Sequence, residues 1–214
     1  MINLIYNNYM DIKTARNERE QGNLEKALEL FLTIDKTVLN ESELFDYYGE
    51  LGLTYLQLKN LSLAISCFQL CQSLAFQQDS DSLYSVSLRH LSNPIFHEKN
   101  LEHALSLALE AREMAKNANR NDLVWFDQGV INCLSFSNSS KSEISKWLSI
   151  MVKDLYEKGI EEKDDIALWV WVTGYLIELS KISENKDILY LALLISEKYS
   201  LKRKIAEINK INFK

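Results

Sequence analysis

The sequence predicts an all-α fold: an α-solenoid of about five antiparallel helix pairs with a C-terminal capping helix. An Asn-Leu-x-x-Ala-aliphatic core begins at residues 23, 60 and 100, in NLEKALELF, NLSLAISCF and NLEHALSLA. Each copy spaces its apolar residues as one face of an amphipathic helix does. The chain also has only 6 Gly and 1 Pro, which argues against a turn-rich β architecture. The copies begin 37 and 40 residues apart. Because one helix pair cannot bury its apolar face alone, copies that recur at this spacing indicate stacked pairs.

The first three pairs are predicted near residues 8–41, 45–78 and 81–117. In each pair a small residue in the first helix lies twelve positions before the alanine of the repeated core. These pairs are Ala15 with Ala27, Gly52 with Ala64, and Ser92 with Ala104. Small residues let antiparallel helices approach closely, so we expect these positions at the helix contacts, with Phe31 and Phe68 filling the gaps between pairs.

The third pair contains the one proline of the chain. Pro94 follows Ser92 and Asn93, and proline disfavours helical backbone at the residue before it. The sequence therefore predicts that the first helix of this pair ends near Leu91 and that NPIFHEKN forms a longer bend.

Beyond residue 117 the repeated sequence pattern becomes weaker. Two further pairs are predicted near 121–158 and 165–199, with Gly129 and Gly174 as their small contacts. Residues 200–214 are expected to form the cap, because Leu201, Ile205 and Ile208 recur at helical spacing. The lysines of this stretch also allow contact with acidic lipid or nucleic acid. We expect one domain, 1–214, with a separate C-terminal helical domain as the alternative.

The second copy carries a family resemblance. YYGELGLTYLQLKNLSLAISCFQLC, residues 47–71, resembles the tetratricopeptide repeat (TPR) family, which pairs two helices in about 34 residues. The matching positions are those of the family's aromatic, Leu, Gly, Tyr, Ala and Phe: Tyr48, Leu51, Gly52, Tyr55, Ala64 and Phe68. The resemblance is clearest over residues 8–117.

The resemblance implies a concave groove, lined by the first helix of each pair, that binds a protein or peptide. Residues three before and one after each small position tend to face such a groove. These positions also include Ile12, Gly49 and Val130. The candidate binding residues, with the neighbouring Arg19, are Arg16, Arg19, Leu53, Arg89, Asn93, Phe126, Trp171 and Tyr175. The groove would be basic at one end and aromatic at the other, which suits a peptide with an acidic portion and an apolar anchor. The alternatives are that Trp171 and Tyr175 are buried under the last helix and that the arginines are solvated.

No motif for catalysis, a cofactor or a metal is present. The chain lacks G-x-G-x-x-G, a P-loop and G-x-S-x-G. His97 and His103 are six residues apart rather than four, and Cys67 and Cys71 have no further ligands at a metal-site spacing, so core thiols are expected. The sequence therefore predicts a protein that is not an enzyme.

Charge and hydropathy limit the partners further. The net charge of −6 gives no overall footprint for nucleic acid, and no stretch has the roughly 18 apolar residues that span a bilayer. The three cysteines and the absence of a leader suggest a cytoplasmic protein. We expect a non-catalytic scaffold or adaptor for a protein or peptide partner, without membrane or nucleic-acid binding. The alternatives are a peptide-sensing regulator and a self-assembling structural subunit, so a homo-oligomer stays possible.

Overall fold

The computed structural model describes residues 2–135, 137–161 and 166–212, with side chains described for these residues except 2–10, 125 and 167. The described residues are mostly helical and contain no strand. The helices are α1 (Ile2–Gln21), α2 (Leu24–Thr33), α3 (Glu41–Gln57), α4 (Leu61–Gln77), α5 (Asp81–His97), α6 (Leu101–Asn117), α7 (Asn121–Ser135), α8 (Lys141–Glu161), α9 (Ile166–Ser183), α10 (Lys186–Lys198) and α11 (Lys202–Ile208), with a 3₁₀ turn at Lys36–Val38.

Several helices begin at polar residues whose side chains cap them. Asn40 accepts a hydrogen bond from the Glu43 amide, and the Glu43 carboxylate accepts one from the Asn40 amide, which makes a capping box at the start of α3. Asn60, Ser80 and Asn100 cap α4, α5 and α6 with the same bond to the third helical residue. Two of the three asparagines of the repeated core, Asn60 and Asn100, therefore help to start the second helices of their pairs, whereas the Asn23 side chain makes no cap bond to α2.

The helices end in a turn that recurs along the chain. The first or second residue after the helix has a left-handed backbone at Gly22, Lys59, Asp79, Lys99, Asn119, Glu184 and Ser200. At the second of these turns the Asn60 amide donates to the Tyr55 carbonyl, and the Lys59 amide donates to the Leu56 carbonyl. This pair of bonds is a Schellman motif, which satisfies the last carbonyls of a helix and reverses the chain in very few residues.

The chain divides into two compact units, 1–120 and 121–214. In unit 1 the alanines of the repeated core, Ala27, Ala64 and Ala104, are fully buried. A Cβ on Gly52 would lie 2.5 Å from the Phe68 ring, so α3 and α4 meet at a contact that excludes any larger residue. The predicted close contact of this pair is confirmed. The prediction of a single domain, 1–214, stays a prediction.

The prediction for Pro94 was wrong. α5 continues through Pro94 to His97, and the Glu98 amide donates to the Pro94 carbonyl at 3.0 Å, so the helical bonding resumes after the proline. Proline removes one backbone donor, and tertiary packing offsets this local cost because Pro94 is buried. The predicted bend at NPIFHEKN is therefore helical up to His97.

In unit 2, α7, α8 and α10 all pack against α9. The core is built around Leu168, Val172 and Ile177 of α9, which is apolar on most of its surface because neighbours cover several of its sides. Ile208 of α11 joins this core, as expected of a cap, although α11 spans only Lys202–Ile208 of the predicted 200–214.

The two glycines predicted as small contacts differ in their surroundings. A Cβ on Gly129 would lie 2.2 Å from the Trp171 ring, so its contact is with α9 rather than with its predicted partner α8. A Cβ on Gly174 would meet the Lys204 side chain at 3.2 Å, so Gly174 lies beneath α11 and not at the contact of the last helix pair. The small residue was correctly identified at Gly129, but the helix that approaches it was not.

None of the helices in the described ranges combines the length and apolar character that crossing a bilayer requires.

Candidate partner-binding site

The candidate site of unit 1 lies on one side of its first helices. We call this surface the first-helix face and define it by Arg16 of α1, Asp46, Glu50 and Leu53 of α3, and Arg89 and Asn93 of α5. Residues 46, 50 and 53 share one side of α3 because they are four and three positions apart, and Arg89 and Asn93 share one side of α5 for the same reason.

Glu50 joins α1 to α3 through two arginines. Its Oε1 lies 2.7 Å from Arg16 Nε, and its Oε2 accepts hydrogen bonds from Arg19 Nη2 at 2.8 Å and Arg19 Nε at 3.1 Å. The Arg19 side chain is 4% exposed and that of Arg16 is 36% exposed. Arg19 is therefore a structural partner of Glu50, whereas Arg16 also reaches solvent.

Asp46 adds a second carboxylate to this face. Its pKa is raised, chiefly by burial, while the neighbouring Arg16 opposes the rise. Of the arginines predicted at the basic end of the groove, Arg16 and Arg19 therefore lie beside Glu50, and Arg16 also lies near Asp46. The charge of this end is mixed rather than purely basic.

α5 contributes Arg89, Asn93 and, behind them, His90. Arg89 and Asn93 are half-buried. Burial, together with the nearby charges of Arg89 and Arg19, lowers the pKa of His90 to about 3. The His90 ring lies 5.1 Å from the Phe68 ring, and its Nδ1 is shielded from solvent without a hydrogen-bond partner. His90 is therefore a neutral packing residue at physiological pH.

Leu53 supplies the apolar part of the first-helix face. It is half-buried and packs at the edge of a cluster formed by Ala64, Phe68 and Leu91. Its position joins the charged side of α3 to the core between the second and third pairs.

The three aromatic candidates are in unit 2, where they contact one another. Phe126 and Trp171 meet edge to face at 6.3 Å, and the Trp171 and Tyr175 rings are 5.7 Å apart. Tyr175 is 3% exposed and its hydroxyl accepts from Asn132 Nδ2 at 3.4 Å, while burial raises its pKa. Trp171 is half-buried and covers Gly129. The alternative that places Tyr175 in the core matches the structure, and Trp171 has mainly a packing role.

Two acidic residues on the first-helix face had not been identified from the sequence. Glu50 follows Gly49, which lies three positions before the small contact Gly52, and Asp46 lies one turn before Glu50. Their helical spacing was the available signal, but their pairing with α1 depends on how the two helices pack.

The structure places both thiols that were predicted in the core at buried positions. Cys67 and Cys71 are buried, and burial raises their pKa to about 11 and about 12. Cys71 Sγ lies 3.5 Å from the Phe45 carbonyl, to which it donates. Thiols with so little thiolate at neutral pH are poor nucleophiles and poor metal ligands. Over the described ranges no group of three His, Cys, Asp or Glu side chains is placed to hold a metal ion.

The fold has a counterpart among solved structures. A crystal structure of a Podosopora anserina protein, assigned as a kinesin light chain with nearly identical TPR-like repeats, superposes with a TM-score of 0.54. The two sequences are 14% identical, and the match covers 89% of this chain and 95% of the other. No protein-family model matches the chain, and no curated protein matches it. The fold is therefore a TPR-like helical repeat, as the sequence predicts.

Proposed function

We propose that this chain is a non-catalytic scaffold that binds a protein or peptide on the first-helix face of unit 1. The observation that carries the proposal is the repetition of partly exposed side chains at equivalent positions of three successive first helices: Arg16, Leu53, and Arg89 with Asn93. A surface that repeats its contact positions along a stack of helices can follow an extended segment.

The chemistry of the face indicates the chemistry of the partner. Arg16 is held by Glu50 on one side and is accessible on the other, so a carboxylate of the partner can approach it without breaking the existing pair. Asn93 offers an amide that both donates and accepts, and Leu53 offers apolar area. The partner that fits is a segment with one or two acidic side chains, a nearby apolar side chain and main-chain groups within reach of Asn93.

The face is less basic than its arginines alone suggest. Asp46 and Glu50 repel a uniformly acidic segment, so the arrangement of charges in the partner matters more than their number. Ion pairs at this exposed face are screened over about 8–10 Å near physiological ionic strength, so we expect the affinity to fall as salt is added. The apolar contact with Leu53 is not screened and sets the remaining affinity.

The test is a selection of displayed peptides on the full chain, followed by affinity measurements on the selected sequence. Arg16→Gln with Arg89→Gln should weaken binding while leaving the melting temperature close to that of the original protein. Lys59→Gln with Lys99→Gln removes the same charge at two turns outside the face and should leave affinity unchanged. If the two double variants bind equally well, the partner does not use the first-helix face.

A second candidate is self-assembly, which one observation in unit 2 favours. α10 exposes Tyr190, Leu191 and Leu194, with Tyr190 61% accessible, so an apolar strip lies on the surface of a helix near the end of the chain. Sedimentation equilibrium distinguishes the two candidates: a mass that rises with concentration, and returns to that of one chain in Leu191→Lys with Leu194→Lys, supports self-assembly.

A further inference from the structure

Unit 2 has a cleft that lies outside the first-helix face. It is formed between α7, α9 and the segment leading into α11, and its volume is about 640 Å³. Its apolar walls are Phe126 of α7, Val170 of α9 and Leu201. A volume of this size falls in the range of small-molecule sites, roughly 300–1,000 Å³.

One edge of the cleft is cationic. Lys202 and Arg203 line it and are exposed, and within the described ranges neither side chain has an acidic partner. Lys204 and Glu207 also line the cleft, but their charges are engaged: Lys204 Nζ lies 3.3 Å from Glu207 Oε2, and Lys181 Nζ lies 3.3 Å from Glu207 Oε1. Two positive charges at the edge therefore remain available to a ligand.

Lys204 also closes one side of the cleft. Its side chain lies over Gly174 of α9, where an added Cβ would come within 3.2 Å of Nζ. The absence of a side chain at Gly174 lets the Lys204 stem lie along α9, where its methylenes extend the apolar wall. The cleft thus has an apolar floor, a covered side and a charged, open edge.

The residues that line the cleft favour an aliphatic chain over a peptide main chain. Phe126 and Val170 belong to helices, whose backbone groups are already bonded to one another. Among the described residues that line the cleft, Ser200 is the one uncharged polar side chain. A peptide main chain inserted here would bury amide groups with few partners, which costs free energy for each unpaired group. An aliphatic chain has no such groups and loses only its contact with water.

We infer that this cleft binds a free single-chain anionic amphiphile, with the aliphatic chain along Phe126, Val170 and Leu201 and the carboxylate at Lys202 and Arg203. The apolar walls select the chain, and the cationic edge selects the sign of the head group. This site is separate from the one proposed on unit 1, so either can fail without the other.

Titration calorimetry of the full chain with dodecanoate, below its micelle-forming concentration, tests the inference. We expect saturable binding of one dodecanoate per chain. Dodecyltrimethylammonium has the same aliphatic chain and a cationic head, and we expect no saturable binding of it. Equal binding of the two amphiphiles, or no binding of dodecanoate, would overturn the inference.

Three variants locate the site. Lys202→Glu with Arg203→Glu should weaken dodecanoate binding about tenfold or more, since it removes two charge-assisted contacts and adds repulsion. Val170→Trp should block the chain and also weaken binding. Lys146→Glu with Lys153→Glu makes the same charge change on exposed positions of α8, which does not line the cleft, and should leave binding unchanged.

Two further probes distinguish this ligand from other anionic partners of the same edge. An acidic peptide with one central Phe should bind more weakly than dodecanoate, and vesicles of anionic phospholipid should not co-sediment the protein. Tighter binding of the peptide that is lost with Lys202→Glu and Arg203→Glu would assign the cleft to a protein partner. Co-sedimentation lost in the same variant would assign it to a membrane surface. Either result overturns the inference.

Discussion

Among single residues, Glu50 does most to set the character of the first-helix face. It binds Arg19, which is almost fully buried, and Arg16, which is partly exposed. A buried arginine without its carboxylate would be strongly destabilising, so Glu50 holds α1 against α3. The pairing also makes the Arg19 charge inaccessible to a partner, although the sequence had predicted Arg19 as a binding residue. One carboxylate therefore serves the packing of two helices and limits what their surface attracts.

The Gly52 contact gives a prediction about stability. Gly52→Leu should lower the free energy of unfolding by roughly 1–3 kcal/mol, because the Phe68 ring occupies the space that a side chain would need and is itself fully buried. Urea denaturation measures the change. Glu25→Leu, at an exposed position of α2, is the control and should have almost no effect. Equal midpoints for the two variants would contradict the close packing of α3 and α4.

His90 gives a prediction about how stability changes at acidic pH. The unfolded chain takes up a proton on this residue near pH 6.5, but the folded chain does so only near 3, so the folded state binds fewer protons between these values. The stability contributed by neutral His90 is thus complete above about 6.5 and is lost as pH falls toward 3. His90→Phe should show a shallower loss of stability from neutral pH down to about 4. Parallel curves for the two proteins would contradict a depressed pKa.

The residues show where sequence reasoning reaches its limit. Gly52, Ala64 and Phe68 could be placed because their spacing within one helix pair determines which of them meet. The Arg19–Glu50 pair could not, because its members are separated by a turn and a helix and their meeting depends on the rotation of α1 against α3. The end of α5 was mispredicted for a related reason. The tendency of proline to end a helix was outweighed by the burial of Pro94 against neighbouring helices.

At the scale of elements, the recurring Schellman turn explains how the pairs repeat with so few glycines. Gly22 is the only glycine among the described left-handed positions, and Lys59, Lys99 and Glu184 adopt the same conformation with a side chain attached. A left-handed backbone costs roughly 1–2 kcal/mol for residues other than glycine. At Lys59 and Lys99 two backbone hydrogen bonds and the asparagine cap of the next helix offset that cost.

This cost can be removed one turn at a time. Lys99→Gly should raise the free energy of unfolding by about 1 kcal/mol, because the left-handed conformation is unstrained for glycine. Lys153→Gly, in the middle of α8, should lower it by about 1 kcal/mol, because there glycine only adds flexibility to the unfolded chain. Thermal melts of both variants give the comparison. If Lys99→Gly instead lowers the free energy of unfolding, the contacts of the lysine side chain stabilise the fold by more than the left-handed backbone costs.

At the scale of the molecule, each unit has its own buried clusters. The clusters of unit 1 are centred on Phe31, Cys71 and Phe68, and the cluster of unit 2 is centred on α9. Helical repeats gain stability from contacts with their immediate neighbours, so a set of adjacent pairs can hold its fold without distant ones. The internal packing of residues 1–120 therefore predicts that this part is stable by itself.

Expression of residues 1–120 alone tests this expectation. Its circular dichroism should be strongly helical and should disappear in a cooperative thermal transition, since its three helix pairs bury their apolar faces against one another. The full chain melted under the same conditions is the reference. A non-cooperative melt of the shorter chain would favour the single domain, 1–214, that the sequence predicts.

The short turns also determine where a protease can cut. A peptide bond must be drawn out into an extended strand before a protease cleaves it, and the three-residue connections at Lys59 and Lys99 are held by backbone bonds on both sides. The connection between α2 and α3 is longer, spanning residues 34–40, and it exposes Lys36. Within unit 1, brief trypsin treatment should therefore cleave after Lys36 before it cleaves after Lys59 or Lys99. The first fragment boundary would then separate the first helix pair from the second.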